Sequence, residues 1–295
     1  MAIDLSGRTA IVTGAGAGLG RAHALLLAEA GAAVLVNDMN GEAAEAVAAE
    51  IVAAGGKALA HACSVTDYPA VQAMVARAEA ELGPVDILVA NAGILRDKSF
   101  AKMELDDFRL VVEVHLMGSV HCAKAVWDGM RERGFGRIVF TTSSSGLYGN
   151  FGQSNYGAAK MALVGLMQTL SLEGAKSNVR VNCLAPTAAT GMTEGLLPAP
   201  IFEKLGPEKV SPALLALVAD EAPTRTILAA GAGAVEQAHV TLTRGIVAAS
   251  DGIAAGADIL ARMAEIADRA DETVPAQGSD QGQLELAKVM RAEGR

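Results

Sequence analysis

Short apolar runs alternate with longer segments of helical periodicity from the beginning of the chain to about residue 185. The apolar runs are continuous, which is typical of parallel strands that helices cover on both faces. The segments between them predict helices near 19–31, 41–55, 67–83, 104–133 and 154–177. The apolar runs predict strands over Thr9–Thr13, Ala33–Asn37, Ala58–Ala62, Ile87–Ala90, Arg137–Thr142 and Val179–Ala185, and a further strand over Thr226–Ala230.

This alternation predicts an α/β fold of the Rossmann type, a doubly wound parallel sheet of about seven strands flanked by helices. The pattern changes after residue 186, where Pro198, Pro200 and Pro207 interrupt scattered apolar side chains. That composition predicts a mobile substrate loop with short helices over residues 187–211. Helical patterns return at 255–272 and 284–292. We therefore expect one α/β domain over residues 1–245 and a helical C-terminal extension over residues 246–295.

Composition and charge narrow the class of protein. Apolar residues make up 51% of the chain and charged residues 19%, which fits a globular protein with a sizeable core. A net charge of −9 without any basic run argues against a nucleic-acid surface. Neither a secretion signal nor an apolar segment long enough for a bilayer is evident, so we expect a cytoplasmic protein that does not enter membranes. Cys63, Cys122 and Cys183 lack metal-ligand spacing, so no metal site is predicted.

A glycine-rich segment, Thr13–Gly20, joins the first predicted strand to the first helix. Glycine lets the backbone turn sharply and approach a pyrophosphate closely, and the helix N-terminus offers unpaired N–H groups to that anion. The same glycines would also serve a tight strand–helix turn, but their position after the first strand favours dinucleotide binding. The candidate contacts are Gly14, Gly18, Leu19 and Gly20.

Two further segments fit the same ligand. Asp38 ends the second strand, where an acidic side chain can hold the adenosine ribose hydroxyls and repel a 2′-phosphate. NAD is therefore favoured over NADP, the alternative being that Asp38 only caps the following helix. Asn91, Ala92 and Gly93 follow the fourth strand at the carboxyl edge, where open α/β sheets bind ligands. Asn91 also suits a structural hydrogen bond to neighbouring backbone at that edge.

Ser143, Tyr156 and Lys160 form the candidate reactive set. Ser143 lies just after the fifth strand, and Tyr156 and Lys160 stand four positions apart on one helix face. A nearby ammonium stabilises a phenolate and so brings tyrosine towards useful acid–base range. Such a set suits proton removal from an alcohol whose hydride leaves for nicotinamide. A lone tyrosine and lysine at this spacing would more often be a surface pair, and only the ordered series of motifs favours function.

Over residues 3–235 the sequence resembles the short-chain dehydrogenase/reductase family. The resemblance implies that Ser143, Tyr156 and Lys160 are catalytic, that Lys160 holds the nicotinamide ribose, and that a water-mediated proton relay runs beyond it. His115 stands where the family usually has the asparagine of that relay, and it is either a relay residue or a packed histidine.

Two other departures concern the cofactor contacts that the resemblance implies. Ser64, beside Val65, replaces a common aspartate near adenine, and Pro186-Thr187 replaces the usual Pro-Gly. Thr190 and Thr193 are therefore candidates for the carboxamide contact.

A narrower resemblance is to the (3R)-hydroxyacyl-CoA dehydrogenase unit of the peroxisomal type 2 multifunctional enzyme, a group that also carries histidine at the relay position. The segments that carry it are Asn91–Phe100, Val114–Leu116, Tyr148–Gln153 and Glu173–Asn178. It implies oxidation of a 3-hydroxyacyl-CoA with NAD, although no basic cluster in the sequence marks a site for the CoA phosphates. A hydroxysteroid or other secondary-alcohol dehydrogenase is the alternative within the enzyme class, and an NAD-binding sensor without turnover is the alternative outside it.

Two expectations concern the substrate pocket and the assembly. An apolar slot for the substrate would draw on Leu147, Tyr148, Met192, Leu196, Leu197 and Phe202, although core packing explains such residues more often.

The family resemblance also implies a homodimer or homotetramer in which the helices near 104–133 and 154–177 pair between subunits. Small side chains on the second of these helices would permit close packing: Ala158, Ala159, Ala162 and Gly165.

Overall fold

The computed structural model describes residues 3–189 and 202–292. Its strands are β1 Thr9–Thr13, β2 Ala33–Asp38, β3 Lys57–Ala62, β4 Val85–Ala90, β5 Gly136–Thr141, β6 Val179–Thr187, β7 Ile227–Gly231 and β8 Ala234–Ala238. Its helices are α1 Gly18–Glu29, α2 Gly41–Ala53, α3 Tyr68–Glu81, α4 Leu105–Val112, α5 Gly118–Arg133, α6 Ser144–Tyr148, α7 Ser154–Gly174, α8 Ser211–Val218, α9 Gly252–Ala261, α10 Met263–Ile266 and α11 Ser279–Ala292.

The strands form one sheet in the order β3-β2-β1-β4-β5-β6-β7-β8. Neighbouring strands from β3 to β7 are parallel. Every residue of β1, β4 and β5 is buried, because helices cover both faces of the sheet and its central strands must be apolar throughout. The predicted doubly wound α/β fold is confirmed. Since the strand order reverses between β1 and β4, a crevice opens at their carboxyl ends.

The sheet of the described residues has eight strands rather than about seven. The additional strand, β8, follows β7 after only Ala232 and Gly233. A connection this short makes a hairpin, so β8 runs antiparallel to β7. Most of β8 is exposed, and a strand that buries no face carries no hydrophobic pattern from which it could be predicted.

The segment predicted as one helix over 104–133 contains α4 and α5 joined by a π-helical turn, Glu113–Met117. A π turn inserts one residue into the helical ladder and is frequent at functional sites. His115, in the middle of this turn, is buried.

The substrate loop is described only in part. Residues 202–211 contain the 3₁₀ turns Glu203–Leu205 and Pro207–Lys209 and lead into α8. Thr190, Met192, Thr193, Leu196 and Leu197, which the sequence proposed as substrate or carboxamide contacts, lie outside the described residues.

Contacts along the chain divide it into Met1–Gln237 and Ala238–Arg295. The boundary expected after residue 245 stays a prediction. In the second unit, the helix predicted over 255–272 is replaced by α9 and α10, which meet at Arg262. The last helix, α11, begins at Ser279 instead of near residue 284. Among the described residues, no helix combines the length and apolarity that crossing a bilayer requires.

Candidate active site

A cavity of about 480 Å³ lies at the carboxyl ends of the strands around the β1–β4 switch. The glycine loop, the ends of β2 and β3, the segment after β4, the π turn and α7 all contribute to its walls. Among the described residues, its lining includes the following predicted cofactor contacts: Gly14, Gly18, Leu19, Gly20, Asp38, Ser64, Val65, Asn91, Ala92, Gly93, Tyr156, Lys160 and Pro186.

The glycine loop leaves the N-terminus of α1 open towards this cavity. Gly14 has a φ of +61°, and a Cβ there would lie 2.8 Å from the Ala92 Cα, so only glycine fits this approach of two backbones. Ala17, the N-cap, provides no side-chain hydrogen bond, and no acidic residue lies in the first turn. The free N–H groups and the positive end of the helix dipole therefore suit a phosphate group.

Asp38 faces the glycine loop. Its Oδ2 accepts the Gly16 N–H at 3.0 Å, and its Oδ1 accepts the Asn40 N–H at 2.9 Å. Asn40, whose Oδ1 accepts the Ala43 N–H at 3.2 Å, is the residue that caps α2. The alternative role considered for Asp38, capping of the following helix, is therefore filled by Asn40.

Asn91 and Thr13 join the two strands at the switch. The Asn91 amide donates to the carbonyls of Thr13 at 3.0 Å and Gly14 at 3.2 Å. The Thr13 hydroxyl oxygen accepts the N–H groups of Asn91 at 3.0 Å and Ala92 at 3.1 Å. The structural role anticipated for Asn91 is therefore present at the wall of the cavity.

Ser143 lies beside the phenol of Tyr156. It caps the short helix α6, with its Oγ accepting the Ser145 N–H at 3.2 Å. Burial raises the pKa of Tyr156 above its usual value of 10; the Ser143 side chain opposes this, and the nearby carboxylate of Asp97 adds to it. Ser143 is not among the residues that line the cavity itself.

Lys160 is buried on the same face of α7, with its Nζ 5.5 Å from the centre of the Tyr156 ring. The ammonium donates to the carbonyl of Thr141 at 2.5 Å. Burial lowers the pKa of Lys160 from 10.5 to about 7. The sequence argument, in which the ammonium lowers the pKa of the phenol, is therefore not what this geometry shows, because burial is the main cause of the pKa change in each group.

His115 holds the segment after β4 in place. Its Nε2 lies 2.8 Å from the carbonyl oxygen and 3.0 Å from the nitrogen of Ile94. The imidazole meets the Tyr156 ring edge to face at 5.1 Å between centres. Burial, and secondarily the charge of Lys160, lowers the pKa of His115 to about 3, so the ring is neutral at physiological pH.

Five buried side-chain polar atoms have no hydrogen-bond partner in the part of the chain that is described, and two of them are the Nδ1 of His115 and the Oγ1 of Thr141. Both residues line the cavity. Because unpaired buried polar atoms are rare, their presence here fits a site that binds a polar ligand. These two atoms and the open N-terminus of α1 are suited to binding a dinucleotide in this cavity.

Sequence reasoning missed several cavity residues: Ala17, Asn37, Met39, Cys63, Ile94, Val114 and Thr141. Most of them end a parallel strand or follow one directly, so the carboxyl-edge rule that identified Asn91 would also have indicated Met39, Cys63 and Thr141. Val114 carries no such signal, because it depends on the π turn. Leu147, Tyr148 and Phe202, expected in an apolar slot, do not line this cavity.

Comparison with known proteins places this site in a family. The family described as short chain dehydrogenase matches residues 8–199. The chain belongs to this family. The predicted resemblance is confirmed. The chain is therefore an oxidoreductase that acts on hydroxyl groups, and its family binds nicotinamide cofactors.

Three similar proteins cover most of this short-chain dehydrogenase. A short-chain type dehydrogenase/reductase of Mycobacterium tuberculosis is 46% identical over 88% of this chain and 94% of its own length. The structure of full-length peroxisomal multifunctional enzyme type 2 from Drosophila melanogaster has a TM-score of 0.83 and 36% identity. The match covers 98% of this chain but only 50% of the Drosophila chain. A 7α-hydroxysteroid dehydrogenase complexed with NADH and 7-oxo glycochenodeoxycholic acid has a TM-score of 0.73 and 33% identity, over 79% of this chain and 96% of that chain.

Proposed function

We propose that this short-chain dehydrogenase oxidises a secondary alcohol with NAD, and that its substrate is a (3R)-3-hydroxyacyl-CoA. The observation that carries the reaction is the meeting of Ser143, Tyr156 and Lys160 beside one cavity with a dinucleotide-binding glycine loop. The observation that favours NAD is Asp38, whose carboxylate lies against the loop and repels a 2′-phosphate.

The roles of the reactive residues follow from their contacts. The nicotinamide ring supplies a hydride acceptor when it is bound. The phenolate oxygen of Tyr156 takes the proton of the substrate hydroxyl, and the Ser143 hydroxyl, which lies beside that phenol, orients the substrate oxygen. Lys160, buried beside the Tyr156 ring on the same helix, holds the nicotinamide ribose.

His115 completes this set as a neutral residue. Its low pKa excludes an imidazolium at physiological pH, so it cannot lend positive charge to the phenolate. It contributes by fixing Ile94, and its Nδ1 is buried without a hydrogen-bond partner among the described residues. We assign it to the proton relay beyond Lys160.

The substrate assignment rests on the narrower resemblance and on the relatives. Several relatives at 44–48% identity are named peroxisomal multifunctional enzymes or hydratase-dehydrogenase-epimerases. The chain spans 57% or less of those proteins, so it would perform one of their reactions. A hydroxysteroid dehydrogenase is the second candidate, which the similarity to a bile-acid complex favours.

The test is NADH formation at alkaline pH from a panel of substrates. The panel contains the (3R) and (3S) forms of a medium-chain 3-hydroxyacyl-CoA, a 7α-hydroxy bile acid and simple secondary alcohols, each with NAD and NADP. We expect NAD with the (3R) thioester to give the highest kcat/KM. Higher activity with the bile acid would establish the second candidate, and preference for NADP would overturn the role of Asp38.

Assembly and location complete the proposal. We propose a homodimer or homotetramer in which α4, α5 and α7 pair between subunits, and a sedimentation profile of a monomer would reject it. We also keep the cytoplasmic location as a prediction, although several relatives are named peroxisomal; fluorescence microscopy of the tagged chain tests it.

A further inference from the structure

The connection between α6 and α7 is bonded to the segment that follows β4. The Nε2 of Gln153 donates to the Oδ2 of Asp97 at 2.6 Å, and the Lys98 N–H donates to the Gly152 carbonyl at 2.9 Å. The reactive serine is the N-cap of α6, and the reactive tyrosine lies in the first turn of α7. These bonds therefore help to fix how the beginnings of the two helices, and the hydroxyls that they carry, lie relative to each other.

Gln153, the N-cap of α7, also bonds to α6. Its Oε1 accepts the Ser145 hydroxyl at 2.7 Å and the Asn150 amide at 3.1 Å. The Ser145 N–H in turn donates to the Oγ of Ser143 at 3.2 Å. Because Tyr156 follows Gln153 by three residues, one glutamine side chain links the two elements that carry the reactive hydroxyls.

The carboxylate of Asp97 determines the orientation of the Gln153 amide. An ionised carboxylate offers acceptors and no donor, so the NH₂ group of the amide faces Asp97. The amide oxygen is then directed at its two donors, Ser145 and Asn150. Hydrogen bonds to a charged acceptor are shorter and stronger than those between neutral groups, which fits the separation of 2.6 Å.

The two cations beside Asp97 in the sequence are paired with a different carboxylate. The Nε of Arg96 lies 3.8 Å and the Nζ of Lys98 3.1 Å from the oxygens of Asp107. The carboxylate of Asp97 accepts the Gln153 amide instead.

Asp97 also affects the phenol electrostatically. Burial raises the pKa of Tyr156 most, and the negative charge of Asp97 raises it further. Two more titratable groups lie near the phenol: Lys160, whose Nζ is 5.5 Å from the ring centre, and His115, which burial keeps neutral. Asp97 therefore has two separable effects, a hydrogen bond that orients Gln153 and a charge at the phenol.

We propose that Asp97 is a positioning residue of this active site, which acts through the Gln153 amide to hold the hydroxyls of Ser143 and Tyr156 in place. This inference rests on the proposed function. Neither Asp97 nor Gln153 lines the cavity. Their loss should therefore lower kcat, which depends on the alignment of the reacting groups, and leave cofactor binding unchanged.

The first experiment separates the hydrogen bond from the charge, with the substrate of the panel that the wild type oxidises fastest. Asp97→Asn keeps an acceptor for Gln153, so kcat at high pH should stay within about twofold of wild type. The acidic limb of its kcat–pH profile should move to lower pH, because loss of the negative charge lowers the pKa of the Tyr156 phenol and oxidation uses the phenolate. Gln153→Met keeps the charge and removes the hydrogen bonds, so kcat should fall about tenfold without movement of the limb.

Two controls and one further variant accompany these proteins. Asp251→Asn and Gln72→Met change exposed residues far along the chain from the site and should behave as wild type. Asp97 is itself exposed, so Asp97→Ala is expected to fold, and it should show both the tenfold loss, about 1.4 kcal/mol, and the displaced limb. NAD affinity by calorimetry should remain within about twofold of wild type in all of them.

Three outcomes would overturn the inference. The first is a kcat–pH profile of Asp97→Asn that coincides with that of wild type. The second is wild-type kcat in both Gln153→Met and Asp97→Ala. The third is a loss of NAD affinity in these variants that equals their loss of kcat, which would indicate general damage to the fold.

A titration without substrate separates this inference from the proposed function. The chain has three tyrosines, and the phenolate absorbance that Tyr156→Phe removes belongs to Tyr156. The midpoint of that absorbance should lie at lower pH in Asp97→Asn than in wild type. An unchanged midpoint would overturn the inference while the dehydrogenase assignment stands. A lowered midpoint in a chain whose wild type oxidises no substrate of the panel would overturn the proposed reaction and leave the effect of Asp97 on the phenol.

Discussion

Replacing Lys160 by methionine is expected to abolish turnover and yet stabilise the protein without cofactor, by an amount that depends on pH. The ammonium is 3% exposed and makes one hydrogen bond, to Thr141. Its pKa falls from 10.5 to about 7 on burial, and at about 1.4 kcal/mol per pH unit this corresponds to roughly 5 kcal/mol. The lost bond to Thr141 offsets about 1 kcal/mol of that gain.

The sign of the pH dependence follows from proton binding. Below about pH 7 the lysine is charged in both the folded and the unfolded chain, so the wild type carries the full burial penalty. Between about pH 7 and 10.5 the unfolded chain binds a proton that the folded chain has lost, so the stability of the wild type rises with pH. Near pH 9 the penalty has fallen to about 2 kcal/mol, and the advantage of Lys160→Met shrinks by about 3 kcal/mol.

Urea unfolding of both proteins without cofactor, at about pH 6.5 and about pH 9 and at one protein concentration, measures this difference. Lys176→Met, an exposed lysine, should leave the difference between the two pH values as in wild type. Stability curves of wild type and Lys160→Met that stay parallel across this range would refute the claim that burial controls the charge of Lys160.

Substitutions at three further positions test other parts of the site. His115→Asn keeps a donor and an acceptor for Ile94 and should retain kcat within about tenfold. His115→Ala removes both groups and should lower the unfolding free energy by about 1–3 kcal/mol. Equal effects of the two variants on thermal unfolding and on turnover would contradict the positioning role of His115. Gly93→Ala would place a Cβ in the His115 ring and should lower the unfolding free energy by about 1–3 kcal/mol. Gly256→Ala in α9, where a Cβ meets open space, should not lower it. Equal urea midpoints for these two variants would count against close packing of Gly93 on His115. Asp38→Asn keeps the side-chain shape and removes the charge, so the ratio of kcat/KM for NADP to that for NAD should rise about tenfold. An unchanged ratio would show that Asp38 does not select the cofactor.

The sheet and the main members of the site were accessible from sequence because each depends on a local pattern. Buried parallel strands are continuous apolar runs, and the carboxyl-edge rule then placed Asp38 and Asn91 at one crevice. Ser143, Tyr156 and Lys160 were identified through their order and spacing, which the family resemblance made specific. The cavity gathers Tyr156 and Lys160 with the glycine loop, as that order predicted.

Other features depend on contacts that no local pattern contains. The π turn around His115 has the same helical periodicity as the helices on either side, so one continuous helix was predicted. The hydrogen bond from Gln153 to Asp97 joins residues 56 positions apart, which no local pattern predicts. The pKa directions of Tyr156 and Lys160 were also beyond reach, because they depend on burial and not on the spacing of the two residues.

The central claim is that the hydroxyl of Tyr156 performs proton transfer in an enzyme that binds NAD and turns over a secondary alcohol. The most direct measurement is NADH formation by wild type and Tyr156→Phe with the (3R)-3-hydroxyacyl-CoA, alongside NAD binding by calorimetry. We predict that the variant binds NAD within about twofold of wild type and loses at least roughly a hundredfold in kcat. NAD binding by both proteins without turnover on any alcohol in the panel, or a variant that is as active as wild type, would contradict it.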